Sequence, residues 1–324
     1  MKEKIANIKV FVCFYLTLPL FVFMCLTIGV KALDEMPQVN PTKETDAKNS
    51  DGTLLPSDSI EAEIGNPDGS APILAKDLSK NYNILNSTNE IISEEELLAI
   101  KLPHEGEEPL VLVVHTHGTE CYADATESFS TADSDGYYGF YTEESKTRTT
   151  DTEKNVIAIG EIFCNTLAEK GIRTIQSRIM HDKDDYNSAY ANSRKTISEY
   201  LKKYPSIKYV IDLHRDSLGD SERIKTNASD ISGCAQVMLV AGCHGNGVIY
   251  PIWKQNLSVA LKYKKAMDEK YPSLSRPIYL RYSRYNLDLS AGSLLLEVGS
   301  CANSFDEAAK AARLAAECFA EMLQ

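Results

Sequence analysis

None of the eight cysteines stands in a CxxC pair, no GxSxG string occurs, and no glycine-rich loop or DFG string accompanies His214-Arg215-Asp216. The first gap leaves cysteine spacing without a readable motif. The others tell against a serine-hydrolase elbow and a kinase catalytic loop. A cysteine nucleophile fares no better, because neither Cys121 nor Cys243-His244 carries a matching signature. Positive charge is also scarce where a nucleic-acid binder would need it. Residues 110–324 carry 28 acids against 25 bases, and residues 33–109 carry 17 acids against five lysines, within a chain of net charge −12. A nearly neutral domain beside an acidic segment has no electrostatic case for nucleic acid. With 43% hydrophobic and 25% charged residues, the 324-residue chain is neither wholly disordered nor collagen-like.

What is present begins with an apolar run. The 21 residues Val10–Val30 carry no charge and are bounded by Lys9 and Lys31. As a helix they would span roughly 30 Å, the thickness of a bilayer's hydrocarbon core. Pro19 is tolerable in such a helix. Lys2, Lys4 and Lys9 precede the run, so the positive-inside rule leaves the N-terminus in the cytoplasm and the rest outside. A cleaved signal peptide is the alternative, with Val30-Lys31-Ala32 as its site, although the run exceeds the usual 7–15 residues of a signal's core. The expected layout is a cytoplasmic N-terminus and single-pass anchor over 1–32, an acidic flexible stalk over 33–108 and a folded domain over 109–324.

Pro37, Pro41, Pro56, Pro67 and Pro72 interrupt the stalk, which holds too little apolar surface to offset the entropy of ordering. Ser93-Glu94-Glu95-Glu96-Leu97-Leu98-Ala99-Ile100 within it opens like a capping box and predicts a short helix. Beyond the apolar run lie Cys121, Cys164, Cys234, Cys243, Cys301 and Cys318. Disulfides are chemically allowed outside the cell, but Cys164 and Cys318 fall on apolar helical faces and are expected to be buried thiols.

From Leu110 onward strand and helix signals alternate. Strands are expected at Leu110–Val114, Ile172–Ile175, Tyr209–Leu213, Val237–Val240 and Leu294–Val298, with an edge strand at Ile278–Leu280. Helices are expected at Glu153–Lys170, Asp185–Lys203, Trp253–Lys270 and Phe305–Leu323. The pattern predicts an α/β fold, a mostly parallel twisted sheet with helices on both faces. Sites in such sheets gather at the C-terminal ends of strands.

Three strand ends carry reactive groups. The first runs into His115-Thr116-His117-Gly118-Thr119-Glu120, the third into Asp212-Leu213-His214-Arg215-Asp216-Ser217, and the last holds Glu297 among leucines. A lone histidine is usually only a hydrogen-bonded polar residue. An ionised glutamate inside a leucine strand is costly without a cation or hydrogen bonds. Two histidines and one or two glutamates converging on one sheet edge suggest zinc, which in catalytic sites takes three N/O ligands and keeps one position open. A nearby carboxylate would serve as general base.

Taken in order, the strings VLVVHTHGTECY, EKNVIAIGE, HDKDDYNSAYANS, YVIDLHRDS, RYNLDLS and LLLEVGSCANSFDEA resemble the stage II sporulation protein P family of spore-forming Firmicutes. The resemblance covers the whole chain in layout and about residues 109–324 in motif. It implies a fold similar to zinc-dependent N-acetylmuramoyl-L-alanine amidases. It implies cleavage of peptidoglycan stem peptides from glycan, with an associated endopeptidase activity on cross-links. It also implies action between mother cell and forespore during engulfment, alongside a lytic transglycosylase (stage II sporulation protein D) and a third membrane protein. Carried over residue by residue, the metal ligands are His117, Glu120 and His214, with Zn2+ as cofactor. Glu297 matches the catalytic glutamate, and Arg215 is placed to assist in substrate binding. Two positions have rivals. His115 shares a strand face with His117, which lies farther past the strand beside Gly118. Glu153, opening the helix after the first strand, competes with Glu120 of the HTHxxE string. The Tyr-rich segment Cys121–Thr152 reads as a substrate-binding loop or a surface insertion. A membrane-anchored scaffold that binds wall or partner proteins without catalysis is the rival reading, and a zinc peptidase confined to cross-links is a third.

Overall fold

The computed structural model describes residues 62–64, 73–104, 110–123, 147–218 and 223–324. The Val10–Val30 run, most of the proline-rich stalk and residues 124–146 lie outside them. Among the described residues no helix is long and apolar enough to cross a membrane.

Ten strands and five α-helices are described. In chain order they are β1 (Ala62–Ile64), β2 (Ile73–Lys76), β3 (Ile84–Asn86), α1 (Glu94–Ala99), β4 (Leu110–Val114), α2 (Val156–Glu169), β5 (Arg173–Gln176), α3 (Ala189–Lys203), β6 (Ile207–Asp216), β7 (Arg223–Thr226), β8 (Val237–Gly242), α4 (Trp253–Lys270), β9 (Ile278–Arg281), β10 (Ser293–Ser300) and α5 (Phe305–Leu323). The main sheet has seven strands in the order β3-β9-β8-β10-β6-β4-β5. Five of its neighbouring pairs are parallel, and β10–β8 is antiparallel. A small second sheet joins β1, β2 and β7.

The sheet separates two cores, and β4 shows why. Its side chains alternate across the sheet with period two. Val111 and Val113 enter the larger core with Phe163 of α2 and Phe319 of α5, while Leu110, Leu112 and Val114 enter a smaller one with Ile197 of α3. Helices therefore cover both faces. Helix α5 opens on a capping box, Ser304 with Glu307, and buries Ala308, Ala311, Ala312 and Ala315. Helix α2 starts at Asn155, whose side chain accepts from the Ile157 N–H, and stops before Gly171 at φ +81°. A left-handed residue at that place needs a glycine.

Three expectations are corrected. Residues 73–104 are not a solvated spacer, and the fold does not begin at 109. Strand β3 pairs with β9, Leu97 of α1 enters the larger core, and the Ser258 hydroxyl of α4 donates to the Leu97 carbonyl at 2.6 Å. His104 is buried, in contact with the Tyr209 hydroxyl and 3.1 Å from the Leu323 carbonyl. With β3 outside it, β9 is an interior strand rather than an edge. The predicted short helix is present, with the Ser93 hydroxyl accepting from the Glu96 N–H. All six cysteines of the described residues are buried, Cys164 and Cys318 included.

Candidate metal centre

The C-terminal ends of β4, β6 and β10 meet on the face covered by α3. Beyond β4 the chain makes a tight turn in which the Glu120 N–H donates to the His117 carbonyl at 3.1 Å. That turn brings side chains three residues apart to the same point. On β6, His214 lies in parallel register with Glu297 of β10, so both project from the same face. One nitrogen of His117, one of His214 and one carboxylate oxygen of Glu120 all lie within 4.8 Å of one another. His117 Nδ1 is 3.6 Å from Glu120 Oε1, and His214 Nδ1 is 3.4 Å from Glu120 Oε2. The two imidazoles meet edge-on at 5.2 Å, and Tyr186 stacks on His117 at 4.4 Å.

The rival positions lie elsewhere. His115 faces inward, with Nδ1 3.0 Å from the Leu213 carbonyl and Nε2 3.0 Å from Gln176 Nε2. Burial pushes its pKa down to about 4. Helix α2 passes so close that a Cβ on Gly160 would sit 2.5 Å from the His115 ring. Glu153 is 82% exposed and faces Arg178 at 4.0 Å. Gly118 serves a close approach, since a Cβ there would lie 2.9 Å from the Met180 backbone.

Glu120 is held from several sides. Its Oε2 accepts from the Arg215 backbone N–H at 3.2 Å, and Arg148 and Arg215 each bring a guanidinium nitrogen to 3.9 Å. Burial opposes its ionisation, but Arg215 and the two histidines outweigh it and hold the carboxyl well below the usual range. For His214, burial disfavours the charged form, yet Asp212 and Glu120 raise its pKa well above the ordinary value. His117 goes the other way, burial lowering its pKa against the pull of Glu120. Glu297 is partly shielded from solvent and its Oε2 has no hydrogen-bond partner. Burial first, then the negative charge of Asp216, push its pKa up to about 8.

Arg215 is arranged differently from the expectation of a substrate contact. It is buried, and its guanidinium donates to the Cys121 carbonyl at 3.1 Å and to the Thr147 carbonyl at 2.8 Å. It clamps the two chain segments that frame Glu120. Arg148 does similar work from the other side, reaching Asp182 Oδ2 at 2.5 Å, while the Thr119 hydroxyl donates to the same oxygen at 2.5 Å. Nothing in the sequence marks Arg148 or Asp182 as part of the site. Asp212 alone had a usable signal, a charge in the apolar strand run two residues before His214, and therefore on the same face.

Two imidazoles and a carboxylate make a three-donor N/O set that suits a first-row divalent ion with one position left open. The orphaned Glu297 oxygen beside it agrees with such a fit, because a buried polar atom without a partner is costly unless a ligand or an ion completes it.

Among solved structures, the chain is similar to an N-acetylmuramoyl-L-alanine amidase of Nostoc punctiforme at 12% identity and TM-score 0.37, over 67% of this chain and 95% of that one. An N-acetylmuramoyl-L-alanine amidase from Clostridium difficile 630 matches at 14% identity and TM-score 0.39, over 66% and 94%. Overlaps this loose bear on neither chemistry nor substrate. Among curated proteins, Stage II sporulation protein P of Bacillus subtilis (strain 168) is 29% identical over 230 residues, 67% of this chain and 52% of that protein. The chain thus spans about half the length of the curated relative it matches. The sequence pattern defining the family described as Stage II sporulation protein P (SpoIIP) matches residues 35–320. A match over that much of its length means that the chain belongs to the stage II sporulation protein P family.

Proposed function

We propose that this protein is a zinc-dependent peptidoglycan hydrolase acting in sporulation, which cleaves the amide joining the lactyl group of N-acetylmuramic acid to L-alanine of the stem peptide. The observation that carries the reading is the convergence of His117, Glu120 and His214 within 4.8 Å, with the unpartnered Glu297 oxygen on the neighbouring strand. In this reading His117, Glu120 and His214 hold the ion. Zinc bound there supplies Lewis acidity, polarising the scissile carbonyl and making a water acidic enough to attack near neutral pH.

The chain's own groups do the rest. Glu297 accepts the proton of the attacking water and returns it to the leaving nitrogen, so the amide becomes a lactyl carboxylate and a free alanine amine. Glu297 must be ionised to act as the base, and a cation held by its three neighbours would oppose the burial that raises its pKa. Arg215 acts by fixing Glu120, not by touching substrate. The Val10–Val30 run anchors the protein in the membrane with residues 33–324 outside, between mother cell and forespore. There it works alongside a lytic transglycosylase and a third membrane protein. An endopeptidase activity on cross-links uses the same centre.

The test is a digest of purified cell wall by the full-length chain, with products identified by mass. The expected result is free stem peptide and about one zinc per chain, with release abolished by a chelator and restored by zinc. His117→Ala and His214→Ala should each lower zinc content. Wall cleavage that survives removal of the metal would refute the mechanism. Products cut only at cross-links would replace the amidase assignment with the peptidase one.

A further inference from the structure

Behind the cluster runs a buried chain of polar contacts that neither ligation nor proton transfer uses. Asp212, 1% exposed, lies in β6 among Val210, Ile211 and Leu213. Its Oδ1 accepts from the Thr116 N–H at 2.8 Å, and its Oδ2 accepts from the Thr116 hydroxyl at 2.5 Å. That hydroxyl lies 2.8 Å from the Ser193 hydroxyl of α3, which accepts from Asn286 Nδ2 at 3.0 Å. Asn286 also donates to the Tyr190 carbonyl at 2.8 Å. Tyr285 and Asn286 both adopt left-handed backbone, at φ 48° and 57°. The bidentate contact between Arg194 and Asp288, 2.8 and 2.9 Å, closes the chain at the surface. Two successive left-handed residues, one of them a tyrosine, are costly, and persist only where surroundings over-determine them.

The inner end of this chain meets His214. Its Nδ1 is turned toward Glu120 and its Nε2 lies 3.0 Å from Asp212 Oδ1, close but out of line for a hydrogen bond. An imidazole that offers Nδ1 to a metal must carry its proton on Nε2, and a carboxylate beside Nε2 selects that tautomer and fixes the ring. We propose that Asp212, itself immobilised by Thr116, is the positioning residue that orients His214 for metal binding, and that the Asn286 turn and α3 brace it from behind. A purely structural part for Asp212 explains its contacts with Thr116 but not the placement of Oδ1 against the ring nitrogen that faces away from Glu120. The proposal rests on the reading of His117, Glu120 and His214 as a zinc site.

The test compares the full-length wild type with Asp212→Asn and Thr116→Val in zinc titrations against a chromophoric chelator. Visible spectra of the cobalt(II)-loaded proteins accompany them. Asp212→Asn keeps the shape and can still accept from the Thr116 N–H, but loses the charge facing Nε2. It should bind zinc roughly 10–100-fold more weakly, the range for losing a group that orients a ligating histidine, and shift the cobalt spectrum, which a residue serving only the fold would leave alone. Thr116→Val keeps the carboxylate and removes one anchor, so its loss should be smaller and in the same direction. If Asp212→Asn fails to fold, Thr116→Val decides. Wild-type affinity and spectrum in whichever variant folds overturn the positioning role while leaving the zinc site standing. A wild type that does not bind zinc overturns both.

Discussion

Glu297 is the residue whose surroundings conflict most with its charge. It lies between Leu296 and Val298 of β10, with His214 beside it and Asp216 repelling it. General-base catalysis contributes about 10²–10⁴-fold, so Glu297→Gln should lower stem-peptide release by that factor while zinc content stays at the wild-type level. Zinc loss in the variant would make Glu297 a ligand, and undiminished release would remove it from the mechanism. Its titration adds a second readout in metal-free protein. The folded-state pKa of about 8 lies above the ordinary 4.5, so between those values the folded state holds a proton that the unfolded chain has released. Stability therefore falls as pH rises through that window. Metal-free wild type should lose thermal stability between pH 5 and 8 more steeply than Glu297→Gln, and equal slopes would contradict a raised pKa.

At the level of elements, α1 shows how little local signal a packed segment needs. It has six residues, Glu94–Ala99, three of them glutamates, in a stretch whose composition suits a solvated spacer. Alone it would not persist, since helices this short are marginal in water. It persists because Leu97, 3% exposed, enters the larger core and α4 receives its carbonyl. Leu97→Ala should cost about 2–5 kcal/mol in chemical denaturation, the range for a buried leucine. A change under about 0.5 kcal/mol, typical of surface positions, would return the segment to the stalk. The longer elements were legible. Helices α4 and α5 match their expected limits, Trp253–Lys270 and Phe305–Leu323, because long amphipathic stripes carry their own period. Strand β3, three residues long, has no period to read. Its partner β9 lies almost two hundred residues away.

For the whole molecule, the remaining question is attachment. An anchor at Val10–Val30 predicts that full-length protein stays in the membrane fraction after alkaline extraction, and that external protease releases the folded part. Recovery of a soluble form beginning at Leu33 would instead establish cleavage. The residues alone determined the alternating α/β plan, the two-sided sheet and the short set of reactive side chains, because these follow from local period and from the cost of charge in apolar strands. Only the tertiary structure decided that His117 and not His115 reaches Glu120, that Glu153 stays outside, that residues 73–104 join the fold, and that Asp212 backs His214. The physical reason is the same in each case. His115 and His117 share a strand-end pattern, and what separates them is non-local: the Leu213 carbonyl, Gln176 and the close passage of Gly160 take one ring inward, while Tyr186 and His214 receive the other.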